Sequence, residues 1–133
     1  MKAQIDENLP PALTRALNAL VSVDGDEVVH VTDYAKGVPD QELFQRAIED
    51  GVQVHITHDH HHRRPAEREA IARLGLTVFV LAKGWNNLAY YDKAARLIEY
   101  WPAIVTTTRI VAAGAIFRVP HRRKGRLEQI KQR

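Results

Sequence analysis

The 133 residues, 45% hydrophobic and 26% charged, are enough for one domain with its own hydrophobic core. Disulfides and thiolate metal sites are excluded because there is no cysteine, and no apolar run approaches the roughly 20 residues that span a bilayer. The net charge of +3 is uneven: six basic residues against one acid between His121 and Arg133 place +5 there and leave −2 on the rest.

In chain order, Lys2 to Ile5 is a short strand candidate that runs straight into Asp6-Glu7-Asn8. This acidic opening lacks a signal-peptide core, so the cytoplasm is the expected compartment. Pro10 and Pro11 suit a helix start, where a missing N–H is harmless. Leu9, Leu13, Ala16, Leu17 and Leu20 then recur at helical spacing. After the turn signal Asp24-Gly25-Asp26, Glu27 to Thr32 reads as a second strand ending at Asp33. Gly37-Val38-Pro39 breaks the chain, and Asp40 is a natural N-cap for a second helix with Leu43, Phe44, Ala47 and Ile48 on its buried stripe. That helix is expected to stop at Gly51. Val52 to Thr57 is the third strand, ending at His58-Asp59.

Pro65 opens a third helix, closed by Gly75, and Leu76 to Leu81 is a strongly apolar fourth strand. Asn86 or Asn87 is expected to cap a fourth helix interrupted at Pro102, with a further helical stretch to Ile110 and a fifth strand from Ala115 to Val119. This alternation calls for a three-layer α/β/α domain over residues 1–120, with a mostly parallel central sheet of four to five strands. Residues 121–133 read as a flexible basic tail, able to hold phosphates or to dock on an acidic partner.

In a parallel sheet ligands bind at the carboxyl ends of the strands, where strand order reverses. Asp6, Asp33 and Asp59 each follow one of the first three strands, and Asp40 opens the helix leading into the third. Carboxylates brought to one edge repel unless a cation or a proton relieves them, and hard oxygen ligands suit Mg²⁺ or Mn²⁺. Asp40 also reads simply as a cap and Asp33 as a turn residue. Glu7 and Asn8 adjoin Asp6 as possible assisting groups; Glu42, about 200° around the helix from Asp40, is a poorer one. Among His58, His60, His61 and His62, alternation along the chain lets only some face a common point, and His61 is a candidate acid or base. Arg63 and Arg64 either steer phosphates or solvate their loop. Trp85 either packs or stacks a nucleobase.

The runs Ile5-Asp6-Glu7-Asn8-Leu9-Pro10-Pro11, Val28-Val29-His30-Val31-Thr32-Asp33, Pro39-Asp40-Gln41-Glu42-Leu43 and Ile56-Thr57-His58-Asp59 resemble the short PIN-like domains. The chain is similar in particular to the toxin-like branch related to the VapC ribonucleases. Arg64-Pro65-Ala66-Glu67-Arg68-Glu69-Ala70, Phe79-Val80-Leu81, Gly84-Trp85 and Phe117-Arg118-Val119-Pro120 extend the resemblance to about residue 120. It implies a metal-dependent ribonuclease in which Asp6, Asp40 and Asp59 hold Mg²⁺ or Mn²⁺, with RNA as substrate, a small antitoxin as partner and a homodimer as assembly. His61-His62 stand where such domains often carry a further aspartate and a phenylalanine. That departure opens the alternative of a catalytically inactive PIN-like module that binds RNA or protein. A receiver-like phosphoacceptor domain is a third reading, on account of Asp6, Asp59 and Lys83.

Overall fold

A computed structural model describes residues 1–33, 38–60, 64–123 and 125–130, without the side chains of Asp40 and Gln41. Its central sheet has six strands: β1 (Lys2–Ile5), β2 (Glu27–His30), β3 (Val54–Thr57), β4 (Thr77–Leu81), β5 (Ile116–Val119) and β6 (Glu128–Ile130). Their spatial order is β2-β1-β3-β4-β5-β6. The first five run parallel and β6 pairs antiparallel with β5. Four helices, α1 (Pro11–Val21), α2 (Asp40–Glu49), α3 (Pro65–Leu74) and α4 (Tyr90–Ile110), connect the strands.

The strands bury both faces, and successive side chains alternate between them. Ala3, Ile5, Val54, Ile56, Phe79, Leu81, Phe117 and Val119 join Leu13 and Leu17 of α1 and Leu97, Trp101 and Ile104 of α4 in one apolar layer. Val78, Val80 and Ile116 face the opposite way, against Phe44 and Ala47 of α2 and Ala70 and Ile71 of α3. The three-layer α/β/α reading of the sequence therefore stands. The glycines expected to end the second and third helices do so: Gly51 follows α2 and Gly75 caps α3, both at positive φ, where a side chain is strained.

Four details differ from the sequence reading. Pro39, not Asp40, is the cap residue of α2, so Asp40 enters the first helical turn. A short 3₁₀ turn occupies Lys83–Asn87, and Ala89 is the cap residue of α4. Pro102 does not divide α4, which is one helix of 21 residues. A single missing N–H removes one rung, while Tyr100, Trp101, Ile104 and Val105 anchor the helix on either side. Finally, residues 128–130 of the expected flexible tail form β6, a sixth strand. The stretch before it is tied to α4: the Tyr100 hydroxyl donates to the Arg122 carbonyl at 2.5 Å and accepts from the Gly125 N–H at 2.8 Å. Arg123 forms a two-pronged pair with Glu99.

Candidate functional site at the rim of the sheet

The chain leaves β1, places β2 on one side of it, then crosses to place β3 on the other. Strand order therefore reverses at β1, and the loops after β1 and β3 diverge at their carboxyl ends. That is the crevice in which open α/β sheets bind ligands. Asp6 ends the first of these strands, and Thr57-His58-Asp59 the other.

Period-two alternation puts Gln4 and Asp6 of the β1 line on one sheet face, with His55 and Thr57 of the β3 line beside them. Asp6 is 6% exposed. Its Oδ1 accepts from the Glu7 N–H at 2.9 Å, and its Oδ2 accepts from the Thr57 hydroxyl at 2.7 Å. The same hydroxyl accepts from the Asp59 N–H at 2.8 Å. One buried Thr57 oxygen thus ties the Asp6 carboxylate to the backbone of Asp59. Asn8 completes the bridge more loosely, with its amide nitrogen 3.5 Å from Thr57 Oγ1 and its amide oxygen 3.5 Å from the His58 N–H. Below them His55 Nε2 lies 3.8 Å from Asp6 Oδ2.

The candidate residues separate here. Asp6 and Asn8 come together with the backbone of Asp59 around the Thr57 hydroxyl. Glu7 contributes its N–H while its side chain is exposed. Asp33 is turned back on its own strand, where its Oδ2 accepts from the His30 N–H at 3.4 Å; it lines a groove between α1 and β2, as a turn residue would. Glu42 is exposed on α2 and pairs with Arg46 one turn on at 2.9 Å. The Arg64 guanidinium stands 3.6 Å from Asp59 Oδ2 and 3.1 Å from Glu67, so a phosphate there must compete with two carboxylates. Trp85 is corrected: it is 0% exposed, and its indole N–H is directed at the carbonyls of Val119 and Pro120. No base can stack on a ring so enclosed. The Asp40 carboxylate, His61 and Arg63 lie outside the described residues.

The sequence reading did not single out Gln4, His55, Thr57 or Lys93. The first three carried a signal, since each is a polar residue inside an otherwise apolar strand. Lys93, in the first turns of α4, reveals itself through His58. Burial first, then the charges of Lys93 and His60, push the His58 imidazole down to about 4. His58 is therefore a neutral imidazole at neutral pH.

Asp6, Asp59 and Asn8 offer oxygen atoms only, the donor set of a hard cation. Among the described residues no three His, Asp or Glu side chains are grouped closely enough to enclose a metal ion. Mg²⁺ does not require such an enclosure, because it usually keeps several waters and takes one or two carboxylates. The donors therefore fit an open, partly hydrated ion.

Parallel order and three layers define an α/β domain, with an acid at its switch point between β1 and β3. A family model described as "PIN like domain" matches residues 1–83, and the chain belongs to that family. PIN-like domains are commonly nucleases. No curated protein and no solved structure matches the chain. Among the described residues no helix is long and apolar enough to cross a membrane.

Proposed function

We propose that this protein is a Mg²⁺- or Mn²⁺-dependent endoribonuclease. The observation carrying the reading is the hydrogen-bonded link from the Asp6 carboxylate through Thr57 to Asp59 at the switch point. Asp6 and Asp59 would hold the ion. Asp40 is the third candidate ligand: it lies one turn before Phe44, whose ring packs edge-on against His55 beneath Asp6. Because α2 runs back between two parallel strands, its first turn lies at the carboxyl edge of the sheet.

The bound ion supplies Lewis acidity, neutralising charge on a phosphodiester and making water a competent nucleophile. The chain's own residues do the rest. Thr57 holds Asp6 in one orientation and draws the loop after β3 toward it. Neutral His58 brings no positive charge beside Asp59 to compete with the ion. Lys93 brings positive charge to the same loop, where a phosphate backbone would pass.

The resemblance to VapC-related domains supports the narrower reading of a toxin restrained by a small antitoxin that covers this rim, in a homodimeric assembly. The absence of a three-residue acidic or histidine group among the described residues favours the second reading, a PIN-like module that binds RNA or protein without cutting it. One assay separates the two. With single-stranded RNA and Mn²⁺, the wild-type protein cleaves and chelator stops it. Asp6→Asn and Asp59→Asn each lose more than the roughly 10–100-fold that even an outer-shell partner costs. RNA binding with no cleavage in any divalent metal establishes the second reading instead.

A further inference from the structure

Among the described residues the exposed large apolar side chains are Leu20, Val23, Tyr90, Tyr91 and Ile110. Helices α1 and α4 each link two parallel strands, so both run against the strand direction. Leu20, Val23 and Ile110, at or just beyond the ends of these helices, therefore lie toward the amino edge of the sheet. Tyr90 and Tyr91, at the start of α4, lie at the carboxyl edge, the same edge as Asp6 and Asp59. They are 41% and 81% exposed, with ring centroids 5.3 Å apart and planes inclined at 60°. Local causes do not account for the pair. Tyrosine is a weaker helix former than alanine, and rings left in water contribute little to the core. Single apolar side chains on a surface are ordinary, but two aromatic rings in edge-to-face contact make a platform.

A positive side chain accompanies the platform. Lys93, three residues on, falls on the Tyr90 side of the helix. Its charge is felt at His58, which places it beside the loop after β3. Asp92 falls about 200° around the helix from Tyr90, in a groove it lines with Arg96, Glu99 and Arg123. Trp85, at the same edge of the sheet, is enclosed, so stacking there falls to the tyrosines. We propose that Tyr90 and Tyr91 stack an unpaired base of single-stranded RNA, with Lys93 contacting the backbone that leads to the crevice between β1 and β3. The proposal rests on the ribonuclease reading above and narrows its substrate to a strand whose bases are free to stack, taken in preference to a duplex. Bases in a duplex keep their faces inside the helical stack, whereas a single strand offers them to aromatic rings. Every base has such a face, so the pair holds the strand without reading its sequence.

Fluorescence anisotropy with a short fluorescein-labelled phosphorothioate RNA, which resists hydrolysis, reads binding in Mn²⁺ apart from cleavage. The RNA is offered as a single strand and annealed to its complement. Tyr90→Ala/Tyr91→Ala is expected to weaken single-strand binding about 5–150-fold, the range for losing one stacked base, and to leave duplex binding within about twofold. Tyr90→Phe/Tyr91→Phe keeps both rings and is expected to match wild type within about twofold. Lys93→Gln is expected to lower the slope of log affinity against log salt by about 0.7, the share of one phosphate contact on a single strand. The substituted side chains lie at the helix surface, and circular dichroism checks that each variant folds. Unchanged single-strand affinity in the alanine variant overturns the proposal, leaves the ribonuclease reading standing and gives the platform to another occupant, such as a protein. Equal losses for single strand and duplex, or a loss in the phenylalanine variant as large as in the alanine variant, overturn stacking as the cause. An unchanged salt slope overturns the part given to Lys93. A wild type that binds neither form overturns the RNA reading, and this proposal with it.

Discussion

Thr57 shows how much one hydroxyl carries. It has a single proton, given to Asp6, and it takes the Asp59 N–H with a lone pair. Thr57→Val keeps the shape and removes both bonds, leaving a buried carboxylate oxygen short of a donor and a backbone N–H short of an acceptor. We expect a loss of about 1–3 kcal/mol in urea denaturation and a fall in RNA cleavage of about 10–100-fold. Thr57→Ser is expected to restore most of both. His58 gives the residue-scale pH prediction. Its imidazole is pushed down to about 4, first by burial, then by Lys93 and His60. Above about pH 6.5 neither the folded nor the unfolded chain holds the proton. Between about 6.5 and 4 the unfolded chain binds it and the folded chain does not, so stability falls as pH drops through that window. His58→Gln is expected to flatten this dependence, as read by denaturation midpoints at pH 4.5 and 7; an unchanged slope contradicts the assignment.

At the scale of elements, α4 and β6 behave as one assembly. Tyr100 and Glu99 on the helix hold the stretch between β5 and β6, while Arg118 on β5 pairs with Glu128 on β6. Pro102 is exposed in the middle of α4, where proline costs about 3 kcal/mol relative to alanine. Pro102→Ala is expected to raise stability by about 1–3 kcal/mol, measured as a higher thermal midpoint, with the fold unaltered. These are also the elements least legible in the sequence. A proline in a helical pattern argues for a break, and only the buried Tyr100, Trp101, Ile104 and Val105 around it override that preference. Glu128-Gln129-Ile130 lacks apolar alternation because an edge strand of three residues buries little. By contrast, β1 to β5 and α1 to α3 announced themselves by apolar periodicity, and Gly51 and Gly75 marked two helix ends.

At the scale of the whole molecule, the position of the working edge follows from strand order. The sequence indicated a parallel sheet with acids after its first three strands, and Thr57 links the Asp6 carboxylate to the backbone of Asp59 there. It did not say that β2 would occupy an edge beyond β1, with Asp33 turned back on its own strand and the β1–β3 crevice as the candidate site. Nor could periodicity show that Gln4 and His55 fall in register, since pairing belongs to the sheet and not to either strand. The core that holds this edge is concentrated in the middle strands: Phe79, 0% exposed and stacked on Phe117, is a keystone of the α1/α4 layer. Phe79→Ala is expected to cost about 3–5 kcal/mol in chemical denaturation. The claim on which the functional account rests is that Asp6 and Asp59 share one cation. A crystal soaked in Mn²⁺ tests it through anomalous scattering: the account predicts one ion bonded to carboxylate oxygens of both residues, and an ion bound elsewhere, or none at saturating Mn²⁺, contradicts it.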